Sequence, residues 1–305
     1  GARVDRAERA SLVAREYERL EARICAWAES TAGVRGALVL GSRARTDHPA
    51  DEWADLDVLV VTGDARSLID DRSWLTTIGR PRMSFVEGAG GEDAPELRVM
   101  FEGGYDVDFA CMSPERIRAM AETDPRTATI ALGRGARVLV DTDGVLGAAL
   151  ESLRPDASGP SLPQPDQRAF DQVCSDFWYH CVWTAKHLAR GEVWWAKGCC
   201  DGYLKQLLRQ VLEWEALGEG RDPWFRGRFL EEWADPDALA SLGRAFARYE
   251  PGEIWQALDA TMDIFAEQAR RVATLFDLVP GKSAELRARD LVERIRTTGS
   301  FVDQV

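Results

Sequence analysis

Two short apolar runs, each closed by a glycine, constrain the fold of the first half of the chain more than any other feature. The runs are VRGALVLG at 34–41 and LDVLVVTG at 56–63. Unbroken apolar segments of this length, without polar alternation, are typical of central strands that other elements cover on both faces. The pattern therefore predicts a sheet with helices packed against it.

The elements around these runs are predicted from periodicity and from turn residues. Gly103-Gly104 separates two strand-like runs and is a strong two-residue hairpin signal. Ser113 precedes a proline and a glutamate, the pattern of a helix N-cap. The expected elements are a helix at 4–30, a short helix within 64–75, strands at 81–87, 96–102 and 105–112, and a helix at 113–120.

Composition changes at 154–166, where RPDASGPSLPQPD carries four prolines and no apolar period. Such a stretch is typical of a linker. The pattern after it is almost entirely helical, with long helices expected at 166–190, 194–217 and 251–277. The chain is therefore expected to contain a mixed α/β domain at 1–155 and a helical bundle at 156–305.

Charge and cysteine content narrow the function classes. Lys and Arg number 38 and Asp and Glu 51, which gives a net charge of −13. This balance disfavours sequence-blind nucleic-acid binding and permits a cationic substrate, although solubility alone also explains it. No segment approaches 18 uninterrupted apolar residues, so no membrane span is expected. The six cysteines form no C-x-x-C pair, so buried free thiols in a reducing cytoplasm are expected.

Two aspartates open the second apolar run, in the order Asp55-Leu56-Asp57. Residues two apart on a strand point to the same face, so both carboxylates are expected side by side. Burying two adjacent like charges without a partner costs several kcal/mol. A divalent cation between them is the simplest remedy, because Mg²⁺ prefers oxygen ligands. Solvated strand ends are the plainer reading of an isolated D-x-D.

A third carboxylate is offered by YDVDF, where Asp106 and Asp108 share one face of the predicted strand. If this strand lies beside 56–63, one of the two completes a three-carboxylate cluster, a type that holds two metal ions for attack at phosphorus. Gly41-Ser42 fits the same chemistry. Gly41 permits a tight turn, and the backbone amides after it can receive phosphate oxygens, with Arg43 or Arg45 adding positive charge.

This ordered set resembles the nucleotidyltransferase superfamily of the polymerase-β type. Together with two helical segments, this set extends the resemblance to the aminoglycoside 6-adenylyltransferases, the streptomycin adenylyltransferase family, over nearly the whole length. The most specific is the aromatic-rich helical motif. The segments are GSRA with DLDVLVV, VMFEGGYDVDFACM, DFWYHCVWTAKHLARGEVWWAKGCCD and EIWQALDATMDIFAEQARRVATLF. The resemblance implies an α+β nucleotidyltransferase domain at 1–155 and an all-α substrate-binding domain at 156–305.

The resemblance also implies a reaction and the residues that perform it. Family members transfer AMP from ATP to a hydroxyl of streptomycin and release pyrophosphate, which confers antibiotic resistance. Gly41 and Ser42 would hold phosphates. Asp55, Asp57 and Asp108 would be the catalytic carboxylates and the ligands of two Mg²⁺ ions, with Asp108 either a ligand of the second ion or the base.

Further residues are implied as binding groups for ATP or the acceptor. Arg43, Lys186 and Lys197 would contact the nucleotide, as point charges in the case of the lysines. Glu192, Glu102 and Trp178 would contact the acceptor, although solvated loop acids and core packing are the plainer readings. The implied partners are ATP and a cationic aminoglycoside, without nucleic acid or membrane, in a cytoplasmic monomer or small homo-oligomer.

Two other functions remain open at this point. The same chemistry can serve a non-aminoglycoside acceptor, either a metabolite or a macromolecule, because the loops at 45–54 and 87–96 depart from the family. A non-catalytic nucleotide-binding module is the other alternative. The intact set of Asp55, Asp57 and Asp108 speaks against it.

Overall fold

The computed structural model describes residues 6–87, 96–123, 132, 135–151 and 163–299. The chain forms two compact units, 1–161 and 162–305. The expected domain boundary at 155/156 lies outside the described residues, as does most of the proline-rich segment 154–166. None of the helices within the described ranges is long and apolar enough to cross a membrane.

The first unit is built on a six-stranded mixed sheet with the order β3-β4-β5-β2-β1-β6. Strands β2 and β5 are parallel, and every other neighbouring pair is antiparallel. The strands are β1 (Val34–Leu40), β2 (Leu56–Thr62), β3 (Pro81–Glu87), β4 (Glu96–Phe101), β5 (Tyr105–Met112) and β6 (Ala136–Asp141). The described helices are α1 (Arg6–Ser30), α2 (Ala65–Asp70), α3 (Leu75–Ile78), α4 (Pro114–Thr123) and α5 (Val145–Glu151).

Both faces of the central strands are buried, as the apolar runs predict. Val58 and Val60 of β2 belong to the core shared with α1 and α3, while Leu59 and Val61 belong to the core shared with α4 and α5. The two cores account for the absence of polar alternation in β2, since successive side chains point to opposite faces. Asp57 shares the face of Leu59 and Val61, two and four residues further along.

The second unit is all helical in the part that the structure describes. Its longest helices pack in pairs, α6 with α12 and α8 with α11. Phe177 stacks on Phe265 in the core with ring centroids 3.6 Å apart. The helices are α6 (Gln167–Ala189), α7 (Val193–Gly198), α8 (Leu204–Gly218), α9 (Leu230–Trp233), α10 (Pro236–Leu242), α11 (Pro251–Leu275) and α12 (Lys282–Thr298).

The structure refines several predicted elements. The predicted helix at 194–217 is interrupted by a π-helical turn, Cys199–Tyr203, between α7 and α8. Lys205 supports this turn, because its Nζ donates to the Cys200 carbonyl (2.9 Å) and to Thr261 Oγ1 (2.8 Å). The short helix expected within 64–75 is two pieces, α2 and α3. Strand β6 and helix α12 were not predicted from the sequence. The α+β fold class with a following helical unit is confirmed.

Candidate active site

The register of three neighbouring strands places the predicted carboxylates together. Strands β2 and β5 run parallel with Asp57 directly opposite Asp108. On the other side of β5, Arg98 of β4 lies opposite Asp108. Leu40, the last residue of β1, lies opposite Asp57. The end of β1, the start of β2 and the first half of β5 therefore lie together at the same end of these central strands.

Asp55, Asp57 and Asp108 form a cluster with metal-ligand geometry. One carboxylate oxygen from each lies within 4.8 Å of the other two. Asp108 is buried, and the other two are half-buried. Three oxygen donors at this separation can share one or two small divalent cations, and Mg²⁺ prefers such donors. The sequence-based prediction that one aspartate of β5 joins the D-x-D pair holds for Asp108.

The surroundings of Asp108 show how much negative charge collects here. Burial is the main cause that raises the pKa of the Asp108 carboxyl to about 7. Arg98 lowers this pKa, but Asp57 and Asp55 raise it. Arg98 is itself shared, since it pairs with Asp108 and also with Glu87 (2.6 Å) and Glu96 (3.0 Å). The single positive charge of Arg98 is therefore shared by three carboxylates and does not neutralise them.

The Gly41-Ser42 turn lies against this cluster. Gly41 adopts φ +67°, a conformation that L side chains rarely adopt, and Gly41–Arg43 forms a short 3₁₀ turn. A Cβ added at Gly41 would lie 2.9 Å from Asp57 Oδ2, so only glycine allows this approach. Ser42 is buried, and its carbonyl accepts from the Ala50 amide (2.9 Å). That Gly41 and Ser42 hold phosphates stays a prediction.

A cleft of about 230 Å³ opens on the same face of the sheet. Asp55, Asp106 and Asp108 line it together with Arg98, and the rest of the lining is apolar: Met83, Phe85, Val99 and Met100. Burial and the neighbouring Asp55 raise the pKa of Asp106. Asp106 therefore lies in the cleft beside the three-carboxylate cluster rather than within it.

Arg43 lies next to the cluster with its donors on backbone carbonyls. Its Nε donates to the Asp55 carbonyl (2.9 Å) and its Nη2 to the Ala54 carbonyl (2.6 Å). Its guanidinium carbon lies 3.4 Å from the centroid of the Tyr17 ring. The structure thus places Arg43 within the loop that carries Asp55; phosphate binding by Arg43 stays a prediction.

The predicted residues of the second unit have partners within that unit. Lys197 pairs with Asp201 and donates to the Ala247 carbonyl. Glu192 pairs with His187 and with Arg190 (2.7 Å), next to the start of α7. Lys186 is exposed on α6. Binding of nucleotide or acceptor by Lys186, Lys197 and Glu192 stays a prediction.

Trp178 is not available as a platform for a substrate, which corrects one interpretation of the sequence. Its side chain is 5% exposed and packs edge-on against Phe177 and Phe265 in the core of the helical unit. Glu102, by contrast, is exposed at the β4–β5 turn and pairs with Arg80 and Arg82. Acceptor contact by Glu102 stays a prediction.

Two residues of the site escaped the sequence reasoning. Arg98 lies within a run that looks like an ordinary strand, and its charge at an alternate position is a weak signal without the register. Tyr17 belongs to the apolar stripe of the first helix and looks like a core residue. Its Oη accepts a hydrogen bond from the Asp106 amide (3.2 Å) beneath the cluster. Only the tertiary structure associates either residue with the carboxylates.

Comparison with known proteins identifies the family of this chain. The model of the streptomycin adenylyltransferase family matches residues 14–289. An aminoglycoside 6-adenylyltransferase of Campylobacter jejuni is 21% identical over 261 residues, 82% of this chain and 86% of that protein. One of Bacillus subtilis (strain 168) is 22% identical over 255 residues, 79% of this chain and 84% of that protein.

A solved structure can be set beside these relatives. The crystal structure of an aminoglycoside 6-adenyltransferase from Bacillus subtilis aligns over 93% of this chain and 99% of that chain, with 16% identity and a TM-score of 0.45. The family model itself spans both units, from the middle of α1 into α12. The chain belongs to the streptomycin adenylyltransferase family.

Proposed function

We propose that this protein is an aminoglycoside O-adenylyltransferase that transfers AMP from ATP to a hydroxyl of streptomycin and releases pyrophosphate. The observation that carries the proposal is the cluster of Asp55, Asp57 and Asp108, whose oxygens lie within 4.8 Å of one another beside the Gly41-Ser42 turn. Membership of the adenylyltransferase family supports the choice of nucleotide chemistry over a purely structural cluster.

The donor set fits a magnesium site. Three carboxylates are the oxygen ligands that Mg²⁺ takes. Burial is the main cause of the raised pKa of Asp108, and Asp57 and Asp55 raise it further by negative charge that a divalent cation would neutralise. Asp55, Asp57 and Asp108 would hold one or two such ions. When bound, the metal supplies charge neutralisation on the phosphate oxygens.

The chain's own groups contribute orientation and proton transfer. Gly41 lets the backbone approach Asp57 closely, so the Ser42 turn can receive phosphate oxygens beside the carboxylates. The acceptor hydroxyl must approach phosphorus in line with the leaving pyrophosphate, and holding both reactants in one geometry lowers the barrier. Asp108 either completes the ligand set or accepts the hydroxyl proton.

The acceptor is inferred from charge. The cleft beside the cluster is lined by Asp55, Asp106 and Asp108, and the whole chain carries a net charge of −13. Both features favour a cationic acceptor such as an aminoglycoside. The aminoglycoside 6-adenylyltransferases that resemble this chain are named for the same class of acceptor.

The test is pyrophosphate release from ATP and Mg²⁺ across a panel of streptomycin, other aminoglycosides and a control without acceptor. Release that depends on streptomycin supports the proposal in full. Release with another aminoglycoside keeps the chemistry and replaces the acceptor. Silence across the panel, in a protein that still binds ATP with Mg²⁺, contradicts the aminoglycoside acceptor.

A further inference from the structure

Asp55 is the member of the carboxylate cluster that the sheet does not hold. Asp57 and Asp108 lie within the β2–β5 ladder, opposite each other. Strand β2 begins at Leu56, so Asp55 is the last residue of the irregular connection that follows the Gly41–Arg43 turn. Positions outside a ladder lack the regular hydrogen bonds that define backbone geometry. Another group must therefore set where Asp55 lies.

Arg43 supplies the missing hydrogen bonds. Its guanidinium donates from Nε to the Asp55 carbonyl (2.9 Å) and from Nη2 to the Ala54 carbonyl (2.6 Å). Two parallel N–H donors on one rigid plane match two successive carbonyls, a geometry that the single ammonium of lysine does not reproduce. The same residue ends the turn that begins at Gly41. Arg43 thus links the proposed phosphate-binding turn to the residue that opens the D-x-D motif.

Tyr17 of α1 supports the guanidinium from the other side. The guanidinium carbon lies 3.4 Å from the ring centroid, within the range of a cation–π contact. Tyr17 is 5% exposed, packs edge-on against Tyr105 and accepts the Asp106 amide hydrogen bond at its Oη (3.2 Å). One buried ring therefore contacts both Arg43 and the start of β5, two residues before Asp108.

Burying the guanidinium of Arg43 carries a free-energy cost. Burial lowers the pKa of Arg43, because a desolvated guanidinium loses hydration. Stacking on an aromatic face and two charge-assisted hydrogen bonds offset that loss. A surface arginine meant only for long-range attraction of phosphate would need neither contact.

We propose that Arg43 and Tyr17 are positioning residues that hold Asp55 at ligand distance from Asp57 and Asp108. The inference rests on the proposed function, since the position of Asp55 matters only if the cluster binds a divalent cation. Arg43 acts through the backbone of Ala54 and Asp55. Tyr17 acts through Arg43 and through the Asp106 amide.

Binding of Mn²⁺ to the nucleotide-free protein tests the inference without relying on turnover. Free Mn²⁺ is measured by electron paramagnetic resonance in titrations of wild type, Arg43→Lys and Tyr17→Phe. Removing groups that orient metal ligands typically weakens metal binding about 10–100-fold, and we expect at least about tenfold for Arg43→Lys. Tyr17→Phe keeps the ring but loses the acceptor for the Asp106 amide, so a smaller loss of about threefold is expected.

A matched control is Arg23→Lys. Arg23 of α1 also donates to a backbone carbonyl, that of Ile78 (3.1 Å), and it has no contact with the carboxylates among the hydrogen bonds of the described residues. Its Mn²⁺ affinity should equal that of wild type. Thermal melts of all variants separate a loss of metal binding from a loss of folding. If Arg43→Lys does not fold, Tyr17→Phe decides.

The alternative role, direct binding of phosphate, predicts a different pattern. Lysine keeps the positive charge but loses the bidentate geometry, so a phosphate role predicts a raised KM for ATP in Arg43→Lys, with unchanged Mn²⁺ affinity in the absence of nucleotide. That result in folded protein would overturn the positioning role and leave the metal site intact. Wild-type protein that binds no Mn²⁺ would overturn both the inference and the metal assignment. Normal Mn²⁺ binding without pyrophosphate release would contradict the proposed function alone.

Discussion

Buried carboxylates occur in both units of this protein, in opposite surroundings. In the helical unit, Glu215 is fully buried and pairs with Arg221 (2.6 Å) and with Arg271 (3.0 Å). Asp235 is also buried there, and Arg271 serves it as well (2.6 Å). The pKa of Glu215 is raised by burial despite its two arginines. Burial raises the pKa of Asp235, but the Ala238 amide, Arg271 and Gln268 outweigh it and leave this pKa lowered.

The sheet unit shows the reverse of the balance at Asp235. Arg98 is shared among Glu87, Glu96 and Asp108, while Asp55 and Asp57 add further charge beside Asp108. The pKa of Asp108 is raised to about 7 despite the arginine. Removing one partner of a buried ion pair is destabilising, because the other charge is left uncompensated. A buried carboxyl with a strongly raised pKa beside other carboxylates is instead a candidate functional site.

The largest effect is expected from removing a carboxylate of the sheet cluster. Asp57→Ala should reduce pyrophosphate release by about 1000-fold, about 4 kcal/mol in transition-state free energy, because the ligand set loses its central member. Circular dichroism and the thermal melt should stay close to wild type, since the substitution removes one of three neighbouring carboxylates and its repulsion of Asp108. Appreciable activity in a well-folded Asp57→Ala protein would rule out the metal assignment.

The matching substitution in the helical unit should change stability instead. Glu215→Gln should lower the free energy of unfolding of that unit by about 2 kcal/mol, because two arginines lose a fully buried partner. Glu231→Gln, at an exposed position of α9, is the control and should change stability little. Thermal denaturation measures both. A Glu215→Gln protein as stable as the control would show that this network contributes no stability.

The carboxylate cluster of the sheet unit should also make stability depend on pH. The pKa of Asp108 is raised in the folded chain, so between about pH 4 and 7 the folded state holds a proton that the unfolded state has released. Asp108 therefore contributes stability that metal-free wild type loses as pH rises through this window, and Asp108→Asn lacks this contribution. In EDTA, the free energy of unfolding of Asp108→Asn relative to wild type should be greater at pH 8 than at pH 5, by on the order of 1 kcal/mol or more. Melting temperatures at pH 5 and pH 8 give the comparison, and equal shifts for both proteins would contradict it.

The smallest effect is expected at Asp106, which lies in the cleft outside the three-carboxylate cluster. Asp106→Asn should reduce kcat by less than about tenfold. The hydrogen bond from the backbone amide of residue 106 to Tyr17 remains, and the ligand set is intact. Asp108→Asn, assayed in parallel, should lose nearly all turnover. If Asp106→Asn proves the more damaging of the two, the assignment of the third carboxylate must be reversed.

Local sequence patterns determined much of the fold. The runs at 34–41, 56–63 and 105–112 correspond closely to Val34–Leu40, Leu56–Thr62 and Tyr105–Met112. The helix predicted at 166–190 is Gln167–Ala189, and that at 251–277 is Pro251–Leu275. Periodicity and capping residues predict such elements because both act within a few residues of chain. The D-x-D motif is local as a sequence signal, but Asp55 precedes β2, so the strand period alone does not place its carboxylate beside that of Asp57.

Only the tertiary structure decided what those elements bring together. The strand pattern left Asp106 and Asp108 equivalent on one face, with only the family resemblance favouring Asp108, and the parallel register of β2 and β5 sets Asp108 opposite Asp57. The antiparallel register of β4 and β5 brings in Arg98, while the packing of α1 brings Tyr17 against Arg43. The helical core removes Trp178 from any binding surface. Register and packing depend on contacts between residues far apart in the chain, and a periodic pattern within one element carries no record of them.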